Sequence, residues 1–337
     1  MNDMTRREFI STGAAFAAAG TSAPAFAKTT DKIRAVLLHM GMNMWGEWRA
    51  PDEPKVAGKR YTSDEVYFSE SIWNRTIDHA VKRRFNMAVM DLGEFLAYPS
   101  HPELAVKGSW SADRMRAEVR RLKALGIEPI PKMNFSATHD SWLKDYHRML
   151  STEKYYQVCE DLIKDVVEIF DHPRFFHLGY DEESFDCQKH HLFAACRQGD
   201  MWWHDFLWFV KVTEKAGSRP WIWSDYSWYH KDEFLKRMPR SVLQSNWHYN
   251  AECNATQIDT ARYIDLDKAG FDQVPAGSNW LCNTNFASLV KYCDKHCSMD
   301  RIKGYMMTTW LFTLEKYEAK ALEAVAQMEP VIKARKP

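Results

Sequence analysis

Residues 175–183 read Phe-Phe-His-Leu-Gly-Tyr-Asp-Glu-Glu, and their order bears directly on the fold. A short apolar run opens at a glycine and ends in three consecutive acids. Carboxylates placed directly after a buried strand must be hydrated or paired. In a barrel of parallel strands, that edge is where reactive groups collect. Asp181 and Glu182 are therefore the first candidates for a catalytic pair. The segment alone leaves a second reading open, a solvated loop whose acids cap the next helix.

Outward from this stretch the chain alternates. Apolar runs at 32–40, 86–92, 127–133, 174–180, 220–224, 242–247, 272–276 and 302–308 predict eight strands. Helical periodicity fills the gaps. Trp73, Ile77 and Val81 recur at fours, Met115 and Val119 precede Leu122, and Leu162, Val166, Ile169 and Phe170 share a face with the same period. Phe206, Phe209 and Val210 do likewise. Ser111 is placed to cap a helix that stops at Gly126. Eight strand–helix alternations predict a (β/α)8 TIM barrel. A doubly wound open sheet is the competitor, but no glycine-rich phosphate loop follows the first strand. Residues 41–70 form a long loop after that strand, a length that suits a functional segment.

The N-terminus reads as an address. Thr5-Arg6-Arg7-Glu8-Phe9-Ile10 is a twin-arginine pattern, followed by a weakly apolar run and the small-residue site Ala25-Phe26-Ala27. Residues 1–27 are expected to be a signal peptide and 28–337 a single barrel domain in the periplasm or beyond. The 337-residue chain carries 45 basic and 45 acidic residues. That balance supplies no basic field for nucleic acid. Seven cysteines are an odd number without a compact framework, so most are expected to be small buried apolar residues. No cofactor or metal is expected, and no membrane span after the signal.

The strand ends gather polar and aromatic residues. Asn43 and Trp45 follow the first strand, Asp91 and Glu94 the second, and Lys132, Asn134, His139 and Asp140 the third. His177 and Tyr180 flank the acids of the fourth. Trp223, Asp225, Tyr226 and Trp228 follow the fifth, and Asn246, Trp247, His248 and Tyr249 the sixth. Asn279 and Trp280 follow the seventh, and Trp310 closes the eighth. A tryptophan on a strand is more often core than ligand platform. Together on one rim, though, flat rings with acids and amides describe a carbohydrate pocket.

The run from His177 to Glu182 resembles the His-x-Gly-Gly-Asp-Glu signature of glycoside hydrolase family 20, the β-N-acetylhexosaminidases, with Tyr180 at the second glycine. Trp221 to Asp225, Trp247 and the Gly304 to Trp310 segment are also similar to that barrel's later strands. The resemblance covers roughly residues 120–310, and only the fourth-strand motif is specific. It implies that Glu182 is the general acid/base and that Asp181 orients a 2-acetamido group whose oxygen attacks the anomeric carbon. His177, Tyr180, Asn134, His139, Trp223, Asp225, Tyr226, Trp247 and Trp310 would bind substrate. The family's sugar-gripping arginine after the first strand has no matching motif, although Arg49 lies in that loop. Glu183 is a third acid without an assigned role.

Other readings stay open. A metal-dependent sugar isomerase or epimerase would use Glu182, Asp225 and His248 as ligands. An inactive carbohydrate-binding barrel needs no acid at all. A conventional retaining glycosidase would pair Glu182 with Asp225 or Glu94 as nucleophile.

Overall fold

A computed structural model describes residues 32–41 and 62–334. The expected signal peptide, Asn43, Trp45, Arg49 and most of the first loop lie outside the described residues.

Eight parallel strands are found: β1 (Ile33–His39), β2 (Met87–Asp91), β3 (Glu128–Lys132), β4 (Phe175–His177), β5 (Arg219–Trp223), β6 (Leu243–Ser245), β7 (Ala276–Ser278) and β8 (Gly304–Phe312). Their order is β6-β5-β4-β3-β2-β1-β8-β7. Single bridges from Gln244 to Gln273 and from Trp247 to Ala276 join β6 to the β7 segment and bring the ends of the sheet together. A helix follows each strand: α1 (Glu70–Lys82), α2 (Ala112–Ala124), α3 (Glu153–Ile169), α4 (Gly199–Lys215), α5 (Lys231–Arg237), α6 (Ile258–Lys268), α7 (Asn285–His296) and α8 (Glu318–Ala334). This is the (β/α)8 barrel the alternation predicts.

Local chemistry sets the helix ends. Ser69, Ser111 and Thr152 accept the backbone N–H of Ile72, Arg114 and Tyr155, each satisfying a donor the first turn leaves unpaired. Gly126, at φ +77°, ends α2 in the left-handed conformation that glycine adopts most readily.

The strands obey a strict alternation. Ala35 and Leu37, Met87 and Val89, Ile130, Phe175, Trp221 and Trp223, and Met306 fill the barrel. Val36 and Leu38, Ala88 and Met90, Phe176, Ile222 and Met307 face the helices. Two expectations need correcting. The seventh strand falls at Ala276–Ser278 rather than 272–276, with only Gln273 bridging earlier. Of the seven cysteines, only Cys159 and Cys293 are fully buried; the other five are half-buried, and all are free thiols.

Candidate active site

Extending the inward alternation of each strand by one step reaches a row of polar side chains at the barrel mouth. His39 pairs in register with Asp91, Asp91 with Lys132, and Lys132 with His177. All four are buried. His39 Nδ1 lies 2.7 Å from Asp91 Oδ2, and Lys132 Nζ donates to Asp91 Oδ1 at 2.8 Å. Burial alone would raise the Asp91 carboxyl. Lys132 and the His39 hydrogen bond outweigh it and hold the group at about 2. His177 Nδ1 accepts the Gly179 N–H at 3.1 Å, so its proton sits on Nε2, which has no hydrogen-bond partner among the described residues. Burial, with Lys132 nearby, pushes the His177 imidazole well below its usual range and keeps it neutral. The row forms a charged floor.

Above that floor β4 breaks. Gly179 (φ +72°), Tyr180 (φ +74°) and Glu182 (φ +57°) all take left-handed backbone, an unusual density for one loop. Gly179 also packs so tightly on Asn134 that a Cβ would sit 2.1 Å from Asn134 Oδ1. Asn134 is thereby locked. Its Oδ1 accepts the N–H groups of Ser136 and Tyr180, each at 3.1 Å, and its Nδ2 donates to Asp181 Oδ1 at 2.7 Å. Ser136 and Thr138 hydroxyls hold the carbonyls of Asp181 and Glu182. Asp225 Oδ2 accepts the Glu182 N–H at 2.9 Å. The acids therefore stand on a braced backbone.

His139 Nε2 lies 3.2 Å from Glu182 Oε2 and 3.6 Å from Asp181 Oδ2. Burial would lower the His139 imidazole, but the two carboxylates win and raise it. Burial raises Asp181, helped by Glu182 and opposed by His139, Lys132 and the Asn134 hydrogen bond. Asp225 is pushed up to about 7, first by burial and then by Asp181. Among the described residues, His139, Asp181 and Glu182 are the one histidine–carboxylate group compact enough to hold a metal ion.

An aromatic arc completes the mouth. Trp223 lies 5.6 Å from Trp310, Trp310 is 6.1 Å from Tyr249, and Tyr249 stacks on Trp247 at 5.0 Å. Trp228 packs on Trp247 at 4.4 Å. The arc returns to the acids through Trp247 Nε1, which is 3.4 Å from Asp225 Oδ1.

The expected site residues thus separate into two groups. Asp181, Glu182, Asn134, His139, His177, Trp223, Asp225, Trp247 and Trp310 come together. Tyr180 and Tyr226 do not join them. Tyr180 shares the outward alternation of Phe176 and Leu178, and its ring is buried against Trp202, Phe206 and Phe209 of α4. Tyr226 stacks on Trp202 at 3.9 Å and on His230 at 4.2 Å. Glu183 also turns away. It is buried in a pair with Arg197, which bridges on to Asp205, and it accepts the Ala137 N–H. His248 is committed elsewhere, with Nδ1 at 2.7 Å from Asp259 and Nε2 at 2.8 Å from the Glu252 carbonyl. It cannot share an ion with Glu182 and Asp225 as the isomerase reading required. His39 was missed, although counting alternate residues from Ile33 would have found it.

No family model and no curated protein matches the chain. Solved structures do. The family 20 β-N-acetylhexosaminidase of Streptomyces coelicolor A3(2) superposes with a TM-score of 0.60 at 13% identity, over 88% of this chain and 64% of that one. A chitobiase of Flavobacterium johnsoniae gives 0.60 at 14%, over 90% and 48%. An exo-β-N-acetylglucosaminidase of Vibrio harveyi, solved with N-acetylglucosamine, gives 0.58 at 12%, over 88% and 54%. The chain thus spans about half to two thirds of the length of these three structures. The likeness is one of fold: this chain has the (β/α)8 barrel architecture seen in these family 20 structures.

Proposed function

We propose that this chain is a glycoside hydrolase that removes a terminal 2-acetamido sugar with retention, using the substrate's own acetamido oxygen as nucleophile. One observation carries the reading. Two adjacent carboxylates, Asp181 and Glu182, stand together at an aromatic-lined mouth with different surroundings. Asp181 is buried and pinned by Asn134, whereas the Glu182 side chain is 38% exposed beside His139. A fixed buried carboxylate suits the task of accepting an acetamido N–H and turning its oxygen toward the anomeric carbon. A half-exposed one can reach the leaving oxygen and exchange a proton with water. His139, held at both acids, orients Glu182.

Asp225 is less suited to be a direct nucleophile, because its two oxygens accept N–H groups from Glu182 and Trp247. The floor donor His177 Nε2 and the tryptophan arc supply polar and flat contacts of the kind a pyranose ring needs. The twin-arginine pattern supports export of the chain before it meets its substrate.

The test is a screen of the purified chain on aryl β-glycosides with and without the 2-acetamido group, with two variants. Glu182→Gln should lose about 10²–10⁴-fold on poor leaving groups and little on activated ones. Asp181→Asn should bind a thiazoline mimic of the cyclised intermediate far more weakly. Equal hydrolysis of sugars lacking the acetamido group would rule out the substrate-assisted route.

A further inference from the structure

We infer that the catalytic cluster of His139, Asp181 and Glu182 is also a zinc site, and that zinc occupying it switches the enzyme off. Only the inhibitory consequence rests on the proposed function; the binding does not.

The argument is geometric. Zinc binds imidazole nitrogen and carboxylate oxygen at about 2.0–2.2 Å, so the edges of a tetrahedral site measure roughly 3.3–3.6 Å. The His139 Nε2 to Glu182 Oε2 separation is 3.2 Å and that to Asp181 Oδ2 is 3.6 Å. The third edge, between the two carboxylates, lies within 4.8 Å. Glu182, the most exposed of the three, can shorten it by a small side-chain rotation.

Donor chemistry agrees with the spacing. One imidazole and two carboxylates suit a borderline ion, whereas magnesium and calcium ask for about six or more oxygens. The surrounding shell is already built. Asp181 Oδ1 is held by Asn134, which leaves Oδ2 turned to the cluster. Oriented outer partners of this kind typically change metal affinity by about 10–100-fold. A dication also relieves the repulsion between two neighbouring carboxylates, which is otherwise offset at Asp181 by His139, Lys132 and the Asn134 hydrogen bond.

Three donors leave a fourth position unfilled by this set, as in open zinc sites. Bound there, the ion takes Glu182 Oε2 and Asp181 Oδ2, oxygens of the two carboxylates to which the proposed function gives the proton and the acetamido group. Zinc and sugar therefore exclude each other.

The experiment uses chelator-stripped full chain and zinc chloride, by titration calorimetry and by hydrolysis of an aryl 2-acetamido glycoside. Expected are a single ion per chain, inhibition competitive with sugar and reversed by a chelator, and at least tenfold weaker zinc binding in both His139→Gln and Glu182→Gln. Glu182 is half exposed, so its variant keeps the fold even if the buried His139 change does not; circular dichroism checks both. Absence of binding, binding unchanged in the Glu182 variant, or turnover that requires zinc would each overturn the inference. Zinc bound with these variant effects by a chain that cleaves no glycoside upholds the site and overturns the hydrolase reading instead.

Discussion

Replacing Lys132 with methionine tests whether the charged floor holds the barrel mouth together. Methionine fills similar volume without the ammonium, so the change removes charge more than packing. Asp91 would keep its burial and its contact with His39 but lose the ammonium. In the wild type the carboxyl sits at about 2 against an ordinary 3.8. A shift of that size is linked to roughly 2.5 kcal/mol of stability, fully present above pH 4 and lost as pH falls through 2. The variant forfeits this and also bears the burial that Lys132 had outweighed. Breaking a buried pair from one side costs about 3–5 kcal/mol. At an unfolding entropy of about 2.1 cal/mol/K per residue over ~300 residues, the melting temperature should fall by roughly 5–8 °C at pH 7. The assay is thermal unfolding at pH 7, with Lys132→Met/Asp91→Leu measured beside it. The double variant should recover much of the loss, because no charge is left stranded. A single variant that melts within 1 °C of wild type, or a double variant that melts below the single, would refute the reasoning.

Two further outcomes follow from the site's backbone and charge. Gly179→Ala must put a methyl group 2.1 Å from Asn134 Oδ1 at φ +72°, so it should displace Asn134, release Asp181 and lower kcat by more than tenfold; near-normal kinetics would show that Asn134 is not the anchor. Asp225 gives a pH signature. Its native value of about 7 means the folded state keeps a proton that the unfolded chain has lost between about pH 4 and 7, so its contribution to stability falls as pH rises across that window. The ceiling is roughly 4 kcal/mol. Asp225→Asn has no such penalty, and its melting temperature relative to wild type should rise between pH 5 and 8; a gap that stays constant with pH would count against the assignment.

The barrel was legible because alternating strands and four-residue helical spacing each leave their own mark on composition. β7 escaped in part because Phe271 and Val274 carry the apolar signal, while pairing runs through the small residues Ala276, Gly277 and Ser278. Within the site, the acids after β4 and the partners Asn134, His139 and Asp225 were legible as polar residues at strand ends. Tyr180 misled because a motif match says nothing about direction; its parity with Phe176 and Leu178 did. Tyr226 lies past the end of β5, where strand parity no longer applies. Glu183 was unreadable alone, since its partner Arg197 sits fourteen residues later, beyond a short helix.

Asp181, Glu182 and Glu183 have three destinations: pocket wall, pocket mouth and protein interior. The tripeptide therefore carries a phase. Inserting one residue before it would carry Glu182 into the Arg197 socket, whereas deleting one would bring Glu183 to the pocket mouth and leave the socket to Ser184. Exchanges in place should therefore be tolerated better than changes of length, and a change at 183 should call for a matching one at 197. A designer who transplanted the acids onto another barrel would have to move the socket as well.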